Sequence, residues 1–376
     1  MALRVEERLV SGGEGESLLV HHLVVRGSDR QVGRHLGEVA RARYRVAQPP
    51  PPDPFRASVQ GEWVRRNAPV LFERARGAAE AFADSRAAPG TVALRLGAPG
   101  RPSTSAVVFL PKALTEGGRP LLARQLDRPA GPEGAHPLPA SRPYLIELHP
   151  DDGIPSLALV AFDLLGGVLD GVNGAGVGVV VAADLEQAEA QPHEPEPAPV
   201  GLDELQLARL VLDTARDAAE ARALLLGTKH AYASFPALWL VADRGGDAFV
   251  LEVGPGRNRT HLLEANGAPL VLANHPLHPY PRDAELPRRE GPGDSYSRYR
   301  ALRAALAEGR PPWTAESIAA AAERALPPSP RREPALWCGV YDLAERTLEV
   351  RFGGGGAQAG SAPVPWTPPL RFELGG

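Results

Sequence analysis

Cysteine is nearly absent from this 376-residue chain, which contains only Cys338. A single cysteine excludes an internal disulfide and any zinc site built from several cysteines. In the stretch ALWCGVYDL, Cys338 alternates with apolar neighbours as residues of a β-strand do. We therefore interpret it as a small buried side chain rather than a reactive thiol.

A strong charge imbalance and a long apolar run are also missing. The formal net charge is -4, with 43% apolar and 23% charged residues, so neither nucleic acid nor a membrane surface is indicated as a partner. The first residues, MALRVEERLVSGGEGES, place Arg and Glu where a secretory signal needs an unbroken apolar core, and no later window approaches a membrane-spanning run. We expect a cytoplasmic protein of the soluble globular class.

The sequence does contain strand and helix patterns that occur in groups. After a strand in SLLVHHLVVRGS come two helical patterns, the first with Ser28 as its N-cap, and a proline run lies between them. From residue 103 onward the character changes to strands, joined in pairs by turn sequences such as TEGG and DDGIP. This grouping indicates a layered α+β fold with largely antiparallel sheets rather than an alternating α/β fold.

The second half of the chain continues in the same way. An amphipathic pattern that is divided around residues 213–218 predicts two consecutive helices. Two hairpins are predicted next, one turning at RGGD and one at the Asn-Gly of HLLEANGAPLVLANHP. Two further helices follow, capped by Ser295 or Ser297 and by Thr314, and PALWCGVYDLAERTLEVRFG predicts a last hairpin.

Polar residues stand at the edges of several of these apolar strands. Taken one at a time they have ordinary explanations: a small residue at a strand entry, an asparagine in a glycine-rich turn, an arginine on a solvated helix face. Their occurrence together says more about function than any one of these residues does alone. The candidate catalytic residues are Ser103, Arg124, Asp127, Asn173, Asn274 and Arg298.

The motifs around these residues resemble those of the N-terminal nucleophile hydrolases, in the branch of the acyl-coenzyme A:6-aminopenicillanate acyltransferases, which are relatives of the choloylglycine (bile-salt) hydrolases. VRGSDRQVGRHLGE is similar to the opening segment of that family, and RPSTSAVVF stands in the place of the Gly-Cys-Thr at which its mature chain begins. ARQLD and GVNGAGV resemble its Arg-Asn-x-Asp strand and its Gly-x-Asn-x-x-Gly turn. LANHP and SYSRYRAL resemble its Asn-His strand end and its Ser-x-x-Arg helix start, and the motifs occur in the family's order.

The resemblance implies a four-layer αββα sandwich whose precursor cuts itself before Ser103. The cut would divide one domain into an N-terminal segment, 1–102, and a catalytic segment, 103–376. Ser103 would then attack a linear carbon–nitrogen amide bond with its own α-amine as the base, an amine whose reference pKa is near ~8. The partner implied is a small acyl or amide substrate, and no cofactor and no metal are implied.

The resemblance also implies a role for each of the other candidates. Asp127 would orient and polarise the amine, and Arg124 would tune the nucleophile electrostatically. Asn173 and Asn274 would donate hydrogen bonds to the oxyanion of the tetrahedral intermediate. Arg298 would hold the network together as a fixed cation.

The chain departs from that family at the nucleophile. Ser103 replaces cysteine, Pro102 replaces glycine, and Gln125 replaces the asparagine of the strand motif. Serine is a competent nucleophile in other N-terminal nucleophile hydrolases, whereas proline restricts the backbone before the bond to be cut. Thr104 is an alternative nucleophile, which an extended strand would point to the opposite face.

Two other interpretations are open. The departures fit a catalytically silent protein that keeps the fold, stays uncut and binds an acyl ligand or a protein partner, although unpaired buried Arg and Asp residues are costly without function. NHPLHP contains His275 and His278, which suggests a metal hydrolase, but it lacks a helix to place both rings on one face. We favour the self-cleaving amide hydrolase or acyltransferase.

Overall fold

The computed structural model of the chain describes residues 2–13, 18–44, 46, 53–82, 105–127, 143–161, 163–190, 200–231, 235–253, 260–288, 290–326, 335–353 and 366–375. Within these residues the strands are β1 (Arg4–Ser11), β2 (Val20–Gly27), β3 (Ser105–Leu110), β4 (Leu121–Asp127), β5 (Tyr144–Pro150), β6 (Ser156–Val160), β7 (Val168–Asn173), β8 (Val177–Ala183), β9 (Ala237–Asp243), β10 (Ala248–Val253), β11 (Thr260–Glu264), β12 (Leu270–Leu272), β13 (Ala335–Asp342), β14 (Thr347–Phe352) and β15 (Leu370–Glu373). The α-helices are α1 (Asp29–Tyr44), α2 (Pro54–Asn67), α3 (Pro69–Ala81), α4 (Leu185–Ala190), α5 (Glu204–Thr214), α6 (Ala218–Gly227), α7 (Ser295–Glu308) and α8 (Ala315–Ala325). No helix among the residues described is both long and apolar enough to cross a membrane.

The strands form two sheets. The larger has the order β1-β2-β5-β6-β7-β8-β9-β10-β11, and the smaller has the order β12-β3-β4-β13-β14-β15. Strands β2 and β5 run parallel, and the other neighbours pair antiparallel. Parallel strands cannot be joined by a tight turn, and three helices and the β3–β4 hairpin lie between β2 and β5 in the chain. The predicted largely antiparallel sheets are confirmed.

The two sheets pack face to face, and each has helices on its outer side. At Gly178 of β8 a Cβ would lie 2.9 Å from the Leu122 side chain of the other sheet, so glycine permits the close contact between them. Helix α5 packs on β7 and β8 of the larger sheet, whereas α7 and α8 pack on the smaller sheet. One apolar core contains residues of both sheets, and a second lies between the smaller sheet and α7–α8. The predicted αββα sandwich is confirmed.

The N-terminal helices join the outer layer of the larger sheet. Helices α1 and α3 cross closely because Gly33 and Gly77 have no side chains: a Cβ at either would lie 1.8 Å from a carbonyl oxygen of the other helix. Arg74 of α3 then reaches across to α5, where its Nη1 donates to Asp213 at 2.7 Å. The N-terminal segment is therefore held to the rest of the domain by buried contacts.

The predicted hairpin at Asn-Gly is wrong in one respect. Asn266 and Gly267 do form a turn with positive φ angles, 48° and 78°. The strands on either side do not pair with each other, because β11 pairs with β10 in the larger sheet while β12 pairs with β3 in the smaller one. Local sequence specifies the turn, but the partner of each strand depends on contacts distant in sequence. This crossing from one sheet to the other brings Asn274 to the start of β3.

Other differences lie at element ends and edges. The second helical pattern is broken into α2 and α3 at Ala68, where Pro69 begins a new helix. Strand β1 was not predicted, because this edge strand is exposed along most of its length and lacks apolar alternation. The N-cap of α7 is Asp294, not Ser295 or Ser297, whereas Thr314 caps α8 as predicted. Cys338 is buried in β13, and burial raises the pKa of its thiol to about 12.

Candidate active site

Three of the predicted site residues converge on Ser105, the first residue of β3. Its hydroxyl Oγ accepts a hydrogen bond from Arg124 Nη2 at 3.0 Å. Its backbone N–H donates to Asn274 Oδ1 at 2.6 Å, and its carbonyl oxygen accepts from Arg298 Nη1. The side chain, the amide and the carbonyl of this one serine are each held by a different functional residue, and Ser105 is only 1% exposed.

The register of the smaller sheet explains why Arg124 reaches Ser105. Ser105 pairs with Leu126 across the β3–β4 hairpin, and Val107 pairs with Arg124. Residues two apart on a strand point to the same face, so Arg124 and Ser105 lie side by side on the face that points to the larger sheet. That face is the dry interior of the sandwich, where an ionic hydrogen bond is least screened.

Arg124 is anchored to the larger sheet. Its Nη1 donates to Asp170 Oδ2 at 2.9 Å and to the carbonyl of Leu169 at 2.6 Å. Asp170 is fully buried in β7 and also accepts from Trp337 Nε1 and from the Tyr341 hydroxyl. Burial lowers the pKa of Arg124 and raises the pKa of Asp170, and in each case the other member of the pair opposes the shift.

Arg124 Nε is a buried donor without a hydrogen-bond partner among the described residues. In a guanidinium group Nε–H and one N–H of Nη2 point the same way, as the two prongs of a fork. The Nη2 group already meets Ser105 Oγ. The free Nε donor is therefore adjacent to the Nη2 group that binds the serine hydroxyl.

Asn274 and Arg298 brace the start of β3 together. Asn274 Oδ1 accepts from Ser105 N–H and from Arg298 Nη2, the latter at 2.8 Å, while its Nδ2 donates to the carbonyl of Ala183 at 2.7 Å. These partners fix which end of the amide is oxygen, because two donors face one end and a carbonyl faces the other. The Nδ2 group on which the predicted oxyanion role depends is thus bonded to the main chain.

Asn173 is not brought to this cluster. It ends β7 with its side chain on the outer face, where Nδ2 donates to the carbonyls of Leu212 and Ala215 at 3.1 and 2.7 Å. Its Oδ1 accepts from the backbone of Ala175 and Val177 in the following turn. All four hydrogen-bonding positions of the side chain are used to join β7, its turn and α5. The oxyanion role of Asn173 stays a prediction.

Asp127 lies at the end of β4, next to the residue that pairs with Ser105. Strand alternation places its side chain with that of Gln125, whose Nε2 donates to Asp127 Oδ1 at 3.2 Å. Both side chains are buried on the face toward α7 and α8. The role of Asp127 toward an amine stays a prediction.

The predicted nucleophile Ser103 and its alternative Thr104 lie outside the described residues, as does Pro102. Sequence reasoning passed over Ser105, although it belongs to the same quoted stretch. It is two residues after Ser103, so a strand extended through both would place them on one face. The hydrogen bonds described above belong to Ser105.

Two further polar residues of the site were missed. Asp170 interrupts the apolar run VLDGVN, and a carboxylate inside a buried strand is a signal that a cation lies opposite. Ser295 was interpreted as a cap, yet its hydroxyl accepts from Asn274 N at 2.7 Å. Ser295 and Arg298 are three residues apart on α7 and share one helix face, which is why the Ser-x-x-Arg spacing matters.

The histidines of NHPLHP lie in different environments. His275 is buried against Ser295, whereas His278 stacks on His261 with ring centroids 3.6 Å apart and donates from Nδ1 to Glu252 Oε2 at 2.7 Å. Over the described ranges, no group of three or more His, Cys, Asp and Glu side chains is placed to hold a metal ion.

A four-layer sandwich with a braced serine at the start of an inner strand is the architecture that the motifs led us to expect. The family model described as acyl-coenzyme A:6-aminopenicillanic acid acyl-transferase matches residues 114–357. That match covers more than half of the chain, and the chain belongs to this family. The matched residues contain Arg124, Asn274 and Arg298 but begin after Ser105, so the family match includes neither Ser105 nor the predicted nucleophile Ser103.

Solved structures with similar folds share little sequence with this chain. Penicillin V acylase from Agrobacterium tumefaciens is 16% identical over 66% of this chain and 82% of its own, with a TM-score of 0.44. An N-acylethanolamine-hydrolyzing acid amidase ortholog from Caenorhabditis elegans is 17% identical over 64% and 93%, with a TM-score of 0.41. A conjugated bile acid hydrolase from Clostridium perfringens is 12% identical over 66% and 89%, with a TM-score of 0.45. No curated protein matches the sequence significantly.

Proposed function

We propose that the protein is an amide hydrolase or acyltransferase whose nucleophile is Ser105, exposed as a chain end by self-cleavage of the Thr104–Ser105 bond. The observation that carries this proposal is the convergence on Ser105: Arg124 binds its hydroxyl, and Asn274 binds its amide. The assignment replaces Ser103 and also moves Pro102 away from the bond to be cut. The residue before that bond is then threonine, which leaves the backbone free to adopt the geometry of attack.

Self-cleavage needs only groups of this chain and water. Ser105 Oγ attacks the carbonyl carbon of Thr104, the amide bond breaks as an ester forms, and the nitrogen of Ser105 leaves as an amine with the proton from Oγ. Water then attacks the ester, which returns the hydroxyl to Ser105 and leaves a carboxylate on Thr104. Asn274 binds the amide N–H of Ser105, and Arg298 binds its carbonyl oxygen. These two contacts hold the backbone of Ser105 in place, so that Oγ approaches the Thr104 carbonyl carbon from one direction.

The freed α-amine then serves as the base of the catalytic reaction. An α-amine has a reference pKa near ~8, so a useful fraction is neutral at pH 7 and accepts the proton of Oγ. Ser105 Oγ attacks the substrate carbonyl, and the amine leaving group departs with the proton that the α-amine held. The ester on Ser105 is released to water in hydrolysis or to a second amine in acyl transfer.

Arg124 acts on the charge that develops in these steps. Its Nη2 donor lowers the cost of negative charge on Oγ. We assign its unpartnered Nε–H to the oxyanion of the tetrahedral intermediate, in the place of the predicted Asn173 donor. A buried donor that is unpaired in the resting protein and paired in the transition state stabilises the transition state selectively.

Intact mass and N-terminal sequencing of the purified protein test the proposal. We expect two fragments, the larger beginning at Ser105, and we expect Ser105→Ala to remain one chain. The matched control Ser103→Ala should cleave like the parent. Ser105→Cys should also cleave, and iodoacetamide should then block its activity, because a thiolate is a stronger nucleophile than a hydroxyl.

Other results of these experiments would change the assignment of the nucleophile or of the function. A fragment that begins at Ser103, together with an uncut Ser103→Ala variant, would move the nucleophile back to Ser103. A parent chain that stays intact and hydrolyses no amide would support the catalytically silent alternative. The substrate panel consists of penicillin V, a conjugated bile acid and an N-acylethanolamine, which share an acyl group joined to an amine. Because Ser105 is buried in the intact chain, the uncut Ser105→Ala variant should be inactive toward all three.

A further inference from the structure

We propose that His275 is a positioning residue, which acts through Ser295 to hold Asn274 against the nucleophile Ser105. Its effect on catalysis rests on the proposed function, whereas the hydrogen bonds themselves do not. His275 touches neither Ser105 nor Arg124 in any hydrogen bond of the described residues. Three hydrogen bonds connect His275 to Ser105 by way of Ser295 and Asn274.

The Ser295 hydroxyl is the central link of this chain. It lies 2.7 Å from Asn274 N and 2.6 Å from His275 Nδ1. A hydroxyl has one hydrogen to donate and two positions that accept. The backbone N–H of Asn274 can only donate, so Ser295 Oγ accepts from it and is left with its own hydrogen for His275. Within the described residues Ser295 Oγ has no third hydrogen-bond partner.

The hydrogen bonds of Ser295 favour one tautomer of His275. For the Ser295 hydrogen to be used, His275 Nδ1 must be the acceptor, and the ring hydrogen must therefore be on Nε2. Donating to Nδ1 polarises the Ser295 hydroxyl and makes its oxygen a better acceptor for Asn274 N–H. Asn274 is in turn the residue whose Oδ1 holds the amide of Ser105.

The surroundings of His275 fit a neutral ring with hydrogen on Nε2. The ring is fully buried, and its Nε2 has no hydrogen-bond partner among the described residues. The rings of Tyr280, Tyr296 and Tyr299 lie roughly perpendicular to it, with centroids 4.8 to 6.1 Å away. No donor among the described residues reaches Nε2, so nothing there requires this nitrogen to be an acceptor.

The charges near His275 also favour the neutral form. Burial, together with Arg298 and Arg300, lowers the pKa of His275 to about 4, and Glu290 opposes them. The carboxylate of Glu186 accepts from the hydroxyls of Tyr280 and Tyr296, whose rings pack on His275. At neutral pH nothing in this environment places a second proton on the ring.

Nitrogen-15 NMR of the histidine side chains tests the tautomer without any activity. The His275 signal is identified by its loss in His275→Phe. We expect the neutral form with hydrogen on Nε2 at pH 7, persisting to about pH 5, and we expect Ser295→Ala to weaken the preference between tautomers. A ring with hydrogen on Nδ1, or a protonated ring at pH 7, would overturn the proposal whether or not the protein is an enzyme.

Kinetics test the action through Ser295. Rates of self-cleavage and of amide hydrolysis on the same panel should fall about tenfold or more in His275→Phe and in Ser295→Ala, mainly in kcat. The double variant should be little slower than either single variant, because both break the same chain of contacts. His275→Asn, which keeps an acceptor near the position of Nδ1, should recover most of the rate.

Two further measurements distinguish positioning by His275 from a general loss of structure in its variants. The control His230→Phe removes another histidine whose pKa burial lowers to about 4, in this case beside Trp239, and it should change neither rate. Additive losses in the double variant, or no recovery in His275→Asn at equal melting temperature, would contradict the proposal. If no variant and no parent cleaves or hydrolyses, the proposed function fails and the NMR result alone decides the present inference.

Discussion

Arg74 and Arg124 are both almost fully buried, at 1% and 2% exposed, yet their surroundings differ. Each nitrogen of the Arg74 guanidinium donates to a carboxylate: Nε to Asp29, and Nη1 and Nη2 to Asp213. Burial works against the charge of Arg74, but the two carboxylates raise its pKa. Every nitrogen of the Arg74 guanidinium thus has a carboxylate partner within the fold.

Arg124 is satisfied only in part. It has one carboxylate, Asp170, which it shares with Trp337 and Tyr341, and burial lowers its pKa. One of its donors meets the hydroxyl of Ser105, and another has no partner in the part of the chain that is described. An unsatisfied buried donor costs free energy, and the proposed oxyanion contact would offset that cost during the reaction.

The comparison shows how to separate structure from function among buried charges. Arg74 joins α3 to both α1 and α5. A network in which every guanidinium nitrogen is bonded suits that task because it has a single arrangement. Arg124 stands beside a candidate nucleophile, where a donor must be available for charge that forms during the reaction. Substitutions around Arg74 should therefore lower the free energy of unfolding, whereas substitution of Arg124 should lower the rate of amide hydrolysis.

The largest expected effect is on stability, in Asp213→Ala. This change leaves Arg74 and Arg209 buried without the carboxylate that both of them bind. Removal of one partner of a buried ion pair costs about 3–5 kcal/mol. Urea unfolding should show that loss, with Asp213→Asn as a milder companion variant. A loss below about 1 kcal/mol would mean that the saturated network does not hold the fold.

The next effect is on activity, in Arg124→Lys. Lysine keeps a positive charge near Asp170 but loses the fork that reaches Ser105 Oγ and the spare Nε–H. Self-cleavage and amide hydrolysis should both slow by about 100-fold or more, the usual cost of a lost oxyanion donor. The matched exchange Arg74→Lys should lower the free energy of unfolding instead and leave the rate per folded molecule unchanged. Equal losses of rate in Arg124→Lys and Arg74→Lys would contradict the proposed difference between the two arginines.

A smaller effect is expected in Asn173→Ala, which tests a third saturated group. The variant leaves the carbonyls of Leu212 and Ala215 without their side-chain donor. The free energy of unfolding should fall by about 1–3 kcal/mol, the cost of unpaired buried polar groups. The hydrolysis rate of the folded protein should not change. A 100-fold drop in kcat with normal stability would restore the oxyanion role to Asn173.

The smallest effect concerns Asp184, a buried carboxyl with no arginine beside it. Burial raises its pKa to about 7, with Glu186 and Glu252 adding repulsion. The folded state therefore binds more protons than the unfolded state from about pH 4 to 7, and stability is lost as the pH rises through that window. The raised pKa corresponds to about 4 kcal/mol. Asp184→Asn should recover about 1 kcal/mol of this at pH 8 and nothing at pH 4, because an amide oxygen is a weaker acceptor than a carboxylate for the Gln187 N–H. Thermal unfolding at the two pH values measures it.

Much of the architecture was accessible from the sequence. Alternating apolar residues and turn sequences located the β3–β4 and β13–β14 hairpins, and helical spacing located α5 and α6, because these patterns are local. The exposed strand β1 and the crossing from β11 to β12 were not accessible. An edge strand needs no buried alternation, and the choice between two sheets depends on residues far apart in the chain.

The candidate site was accessible in the same limited sense. Arg124, Asn274 and Arg298 were named from their motifs and do meet in space. Asn173 was named for the same reason and does not join them, because its strand turns the side chain to the outer face. Asp170 carried a usable signal, a charge in an apolar strand, whose meaning depended on the arginine opposite.

The amino-acid sequence by itself determined which elements form, how they alternate between polar and apolar faces, and which residue types are present for amide chemistry. Tertiary structure decided that three of them meet at Ser105. The pairing of β3 with β4 and the seating of α7 beside Asn274 bring three donors and acceptors to Ser105. That choice follows from strand register and long-range packing, which no short stretch such as RPSTSAVVF contains.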